Sequence, residues 1–157
     1  MKDRNNAVIR VVSGPDADKV VGLSRSSYRV IGRGARQTET VVLDHRDSAF
    51  EFDLNEDDLQ MLIERVDSLE EQAIGVHHSG EQSLSEFERY TREPDIALND
   101  GAVSRVHAVL VFGDFGIGLV DMGSKNGTRV NGQALDFSPV GEKDLIQLGS
   151  TELRISF

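Results

Sequence analysis

Short β-prone runs separated by turn signals occupy both ends of this chain, and they leave few architectures open to it. Val8 to Val12, Lys19 to Leu23 and Tyr28 to Ile31 are divided by Ser13-Gly14-Pro15-Asp16 and by Ser24-Arg25-Ser26-Ser27. The pattern resumes in Asp95 to Leu98, Val106 to Phe112, Gly116 to Asp121, Thr128 to Val130, Leu145 to Leu148 and Thr151 to Phe157. In the last run Leu153, Ile155 and Phe157 alternate with Glu152, Arg154 and Ser156, the period of a strand with one buried face. Many short strands with frequent turns predict an all-β fold, a β-sandwich of two sheets.

The middle of the chain has a different period. Leu59, Leu62, Ile63, Val66, Leu69, Ala73 and Ile74 recur at helical spacing, which predicts an amphipathic helix over Glu56 to Ile74. Asn55 suits the N-cap, Glu56, Asp57 and Asp58 oppose the positive end of the helix, and Gly75 stands where a left-handed cap is wanted. Beyond a loop over Val76 to Gln82, Ser85 and Glu88 have capping-box spacing ahead of Phe87 and Tyr90. They predict a second, shorter helix that ends before Pro94. Thr40-Val41-Val42-Leu43-Asp44 also looks like Asp95-Ile96-Ala97-Leu98-Asn99, a likeness of five residues that chance alone can produce.

With 157 residues and 38% hydrophobic content, the chain is read as one domain, 1–157, with an acidic helical insertion at about 38–93. There is no cysteine, so disulfides, thiol nucleophiles and Cys-based metal sites are excluded. No apolar segment is long enough for a signal peptide or membrane span, which predicts a soluble, cytoplasmic protein. The net charge is −10, and residues 38–93 hold 16 acidic and 4 basic residues, leaving 11 and 13 elsewhere. That distribution argues against nucleic acid as a partner and leaves the β-rich ends slightly basic, as a surface that accepts an anion should be.

The residues that carry chemistry lie in those ends: Gly32-Arg33, then Ser104-Arg105-Val106-His107, then Ser124-Lys125-Asn126-Gly127-Thr128, then Asn131-Gly132. Together, in this order, they resemble the signature of forkhead-associated domains. Asp95-Ile96-Ala97-Leu98 and Asp144-Leu145-Ile146-Gln147-Leu148-Gly149 look like that family's strand sequences. The resemblance implies a sandwich of eleven strands in two sheets with the binding loops at one end, and a module that binds phosphothreonine peptides as an adaptor in Ser/Thr kinase signalling. It implies phosphopeptide contacts from Arg33, Ser104, Arg105, Lys125 and Asn126. Gly32, His107, Gly127 and Thr128 are implied as structural supports, His107 by holding the serine-bearing loop. The chemistry agrees: a phosphate of about −1.5 to −2 charge needs converging donors, and an arginine fork, a hydroxyl and an ammonium supply them. The Asn126 amide both donates and accepts, which suits a peptide backbone. Asn126-Gly127 and Asn131-Gly132 are also favoured hairpin-turn dipeptides; Asn131-Gly132 is read as a turn alone, Asn126 as serving both purposes.

The chain departs from the family in the length between Arg33 and Ser104, which places the helical insertion at the binding-loop end, able to cover or extend the site. A phospho-independent scaffold, in which the amphipathic helix makes the contact, is therefore the competing reading. Asp53, Asn55, Asp57 and Glu64 fall at calcium-loop spacings, but Asp58 stands where glycine is required and Met61 interrupts the ligands, so no metal or cofactor is expected. His77-His78 lacks a ligand partner. Neither a nucleophile elbow, a zinc-protease motif nor a P-loop occurs, so no enzyme activity is expected. Thr38, Thr40 and Thr91 lie in or beside the insertion and raise the option that the chain binds its own phosphorylated threonine.

Overall fold

A computed structural model describes residues 5–34, 51–74 and 87–157. The strands are β1 (Asn6–Ser13), β2 (Val20–Ser24), β3 (Ser27–Arg33), β4 (Thr91–Arg92), β5 (Ile96–Leu98) and β6 (Ala108–Gly113). They continue as β7 (Gly116–Asp121), β8 (Thr128–Val130), β9 (Gln133–Leu135), β10 (Phe137–Val140), β11 (Ile146–Leu148) and β12 (Thr151–Ser156). One helix, α1 (Glu56–Ile74), falls between β3 and β4. The first sheet has the order β2-β1-β12-β11-β8-β9; the second has β10-β7-β6-β3-β4, with β5 also paired to β3. Pairing is antiparallel except for β3 with β4 and with β5.

These are twelve strands among the described residues, against the expected eleven, and the difference lies at sheet margins. β4 is two residues long. β9 and β10 answer to no strand expected from the sequence; both are short edge strands in which only Val140 is buried, so neither carries a period-2 pattern. Pro139 is tolerated in β10 because an edge strand need not donate on its outer side. Asn131 and Gly132 form the β8–β9 hairpin turn with φ of 52° and 85°, the positive values a two-residue turn of this kind requires. At Asn126-Gly127 only Gly127 has positive φ, at 81°, so this pair is not such a turn and Asn126 is left to present its side chain.

Alternation sorts the side chains into two cores. Ile31, Leu110, Phe112, Ile117 and Leu119 of the second sheet meet Ile9, Leu23, Ile146, Leu148, Leu153 and Ile155 of the first. The opposite face of the second sheet, with Tyr28, Val30, Val109, Val111 and Val120, is covered by Leu62, Ile63, Val66 and Leu69 of α1 together with Phe52, Phe87 and Tyr90. The molecule is therefore three layers deep, and β6 is buried along its whole length. Leu62, Ile63, Val66 and Leu69 of the apolar face of α1 are taken up in this second core.

The start of α1 is set by its cap: Asp58 N–H donates to Asn55 Oδ1 at 2.8 Å while Asn55 N–H donates to Asp58 Oδ2 at 3.1 Å. Asn55→Ala is expected to cost about 1 kcal/mol and Asn55→Gly only a few tenths, measured as urea midpoints. Equal midpoints for all three proteins would show that the cap contributes nothing. Of the supposed calcium-loop residues, Asp57 and Glu64 thus lie in α1, and Asp53 and Asn55 in the segment just before it. The Asp95 carboxylate, held by Arg92, accepts the N–H groups of Glu51 and Phe52 and fixes the approach to α1. Of the expected second helix only its end is described, at Phe87; the loop after Gly75, His77, His78, Ser85, the possible repeat at 40–44, Thr38 and Thr40 lie outside the described residues. Among the described residues, no helix is long and apolar enough to cross a membrane.

Candidate functional site

β3 ends on Arg33, β6 begins at Ala108 and β7 ends on Asp121, and the registers Ile31 to Ala108 and Ala108 to Asp121 bring all three to one end of the second sheet. The loops that leave from there carry Ser104, Arg105, Lys125 and Asn126, so segments distant in sequence share one rim.

Backbone bonds tie the rim together. Arg33 N–H donates to Ser104 O at 2.9 Å, and Lys125 N–H donates to Ser104 Oγ at 3.0 Å. Because the serine oxygen already accepts, its own proton is free to be donated outward. Asn126 Nδ2 donates to Ala102 O at 2.7 Å, which pins the two loops together and leaves Oδ1 as an exposed acceptor. Gly32 lies under Arg105 so closely that a Cβ would come 1.9 Å from Arg105 O.

His107 is buried beneath the rim and takes both of its ring bonds there. Nδ1 accepts from Ser104 N–H at 3.0 Å, so the ring proton is on Nε2, 2.9 Å from Gly127 O, to which it donates. Burial lowers the His107 pKa from the ordinary value of 6.5, against the opposing pull of Gly127 O and of Asp121 and Asp100. The neutral ring is the one the geometry needs, since a doubly protonated ring could not accept from Ser104. The unfolded chain takes up this proton below pH 6.5 while the folded one resists, so stability falls as pH drops below 6.5 and levels once the lowered pKa is passed. Urea midpoints at pH 7.5 and 5.5 are expected to fall further in the parent than in His107→Gln; an equal fall in both would assign the effect elsewhere.

Two carboxylates that sequence reasoning did not single out build the loops. Asp121 accepts from Gly123 N–H, Ser124 N–H, the Ser124 hydroxyl and the Thr128 hydroxyl, shaping the loop that presents Lys125 and Asn126. Asp100 is buried and accepts from Ala102 N–H, Ser150 N–H and the Thr151 hydroxyl. Burial pushes the Asp100 carboxyl up, but these donors outweigh it and hold the group below 3.8. Asp followed two and three residues later by Gly and Ser was the available signal for Asp121.

Arg33, Arg105 and Lys125 are exposed, and none has a side-chain hydrogen bond or ion pair among the described residues. Among the described residues, three cations without side-chain partners and one hydroxyl donor thus stand around a rim held by backbone bonds. The arrangement can accept a multiply charged oxyanion without leaving any buried charge unmatched.

Residues 88–149 match the family model described as the FHA domain. The FHA domain of the CT664 protein from Chlamydia trachomatis is 17% identical, with a TM-score of 0.55 over 97% of each chain. An FHA domain from Arabidopsis thaliana is 18% identical, with a TM-score of 0.56 over 98% of this chain and 86% of that one. A third structure, from work on phosphothreonine-dependent FHA domain interactions, is 17% identical with a TM-score of 0.52 over 97% of this chain and 96% of that one. These likenesses establish the two-sheet β-sandwich. No curated protein matches the sequence.

Proposed function

We propose, from the premise that residues 88–149 carry an FHA domain on an FHA sandwich, that this chain binds threonine-phosphorylated protein segments without acting on them chemically. Arg33, Ser104, Arg105 and Lys125 take the phosphate, and Asn126 Oδ1 takes a backbone N–H of the peptide. The observation that carries this is the knot on Ser104: its carbonyl holds Arg33, its Oγ holds Lys125, and the three cations beside it have no side-chain partner among the described residues. Phosphothreonine is named because a structural neighbour is described for phosphothreonine-dependent FHA interactions. Ala102, Asn126, Gly127, Arg129 and Gly149 line a shallow pocket beside the rim, on the path of the residues flanking the phosphate.

The partner is a separate protein in Ser/Thr kinase signalling rather than the chain's own Thr91. Thr91 pairs with Ser27 at the far end of β3 from Arg33, about 20 Å away at 3.2–3.4 Å per residue. Titration with a phosphothreonine peptide, its unphosphorylated form and its phosphoserine form provides the test. The phosphothreonine form is expected to bind at least about tenfold more tightly than the unphosphorylated one, as loss of charged hydrogen bonds requires. Equal affinity would overturn the reading in favour of a phospho-independent contact.

A further inference from the structure

α1 covers the outer face of the second sheet, but among the described residues no helix or strand covers the outer face of the first. The side chains of β1, β2 and β12 that do not enter the core point there: Val8, Arg10 and Val12, then Val20, then Glu152 and Arg154. Arg10 stands directly opposite Arg154 in the β1–β12 register and opposite Val20 in the β1–β2 register. Like charges opposed across strands are unfavourable, and neither guanidinium has a hydrogen bond or ion pair among the described residues. The carboxylate on these strands, Glu152, is taken by the Ser13 hydroxyl at 2.5 Å. Val12 and Val20, 38% and 47% exposed, are the exposed large hydrophobics of the described residues, and both lie on this face. Arginines beside exposed apolar side chains are what the centre of a protein interface contains. On a chain of net charge −10, such a face is out of keeping with the rest of the surface.

The chain itself carries the complement. On the solvent side of α1, Asp57, Gln60 and Glu64 are exposed and follow one another at helical spacing, about 10 Å from first to last at 1.5 Å per residue. No basic residue stands in the last turn, and Arg65 is turned away over the Phe137 ring, 5.1 Å from its centroid.

We propose that the outer face of the first sheet docks the acidic side of α1 on a second copy of this chain. The two surfaces lie on opposite sides of the three-layer molecule, so one copy cannot satisfy itself, and the contact is head-to-tail rather than two-fold. Each added copy presents a free sheet at one end and a free helix at the other, and growth does not close at a dimer. The Arg33–Ser104–Asn126 rim is at the end of the sandwich and stays open, so assembly would array several peptide-binding rims along one particle.

Sedimentation velocity over a range of protein concentrations tests this. At about 0.05 M salt the mean sedimentation coefficient should rise with concentration without a plateau at two copies, and at about 0.5 M, where charges are screened within a few ångströms, it should return to the monomer value. R10S/R154S and D57N/E64Q should each stay monomeric and cooperatively folded, as urea unfolding reads. Their mixture should form pairs and nothing larger, because one intact sheet face meets one intact helix. A parent that is monomeric at low salt, a plateau at the dimer, or undiminished association of R10S/R154S would each overturn the proposal. Phosphopeptide affinity of R10S/R154S should equal the parent's, so failure of assembly and failure of peptide binding are read separately.

Discussion

Gly32→Ala is expected to cost about 3 kcal/mol or more of folding stability, the upper part of the range for forcing an atom into a closed core. The added carbon would stand 1.9 Å from Arg105 O, 2.8 Å from Arg105 C and 3.0 Å from Phe52 Cζ. The first two are backbone atoms and cannot turn aside as a flexible side chain would. On either side of Gly32 the backbone bonds of His107 N–H to Ile31 O and Arg33 N–H to Ser104 O hold the two segments together. Relief of the clash must therefore stretch the bonds that assemble the rim, and phosphopeptide binding should weaken along with stability. Gly101→Ala is the control: a Cβ there meets nothing within 4 Å and its φ is not in the left-handed region, so its urea midpoint should stay close to the parent's. A Gly32→Ala midpoint equally close would refute the account of why this position is glycine.

Arg33→Ala is expected to weaken phosphothreonine-peptide binding by about 1.5–3 kcal/mol, roughly 10- to 150-fold, the range for hydrogen bonds to charged groups. The side chain is exposed and unpaired among the described residues, so its removal should leave the urea midpoint unchanged. Arg33→Lys retains the charge but loses the two-pronged geometry, and should recover only part of the affinity. The unphosphorylated peptide serves as reference: its weak binding should be the same to parent and variant. A folded Arg33→Ala protein with the parent's dissociation constant would remove Arg33 from the site.

Much of the architecture could be read locally. The alternation of Leu153, Ile155 and Phe157 marked β12, and the spacing of Leu62, Ile63, Val66 and Leu69 marked α1, whose range Glu56–Ile74 is the one expected. The continuous apolar run from Ala108 to Phe112 held a further signal: a strand without polar alternation is buried on both faces, so a layer must lie beyond the sandwich. β9 and β10 escaped notice because a short, partly buried edge strand has too little burial to impose a pattern on its residues. The contribution of Asp100 escaped notice because two of its donors, Ser150 and Thr151, are fifty residues away in the chain.

Local sequence was enough to mark most of the strands and the start of the helix, to set Gly32-Arg33 at the end of a strand, and to set Ser104-Arg105 and Lys125-Asn126 between strands. Those properties depend on residues within a few positions of one another, where period, caps and turn chemistry operate. It took the assembled fold to show that Ser104 holds both Arg33 and Lys125, that His107 is a neutral strut between two loops, and that α1 covers one sheet while no helix or strand among the described residues covers the arginine-bearing face of the other. Each of these depends on pairings across the whole chain, set by which apolar faces could be buried together rather than by any local preference.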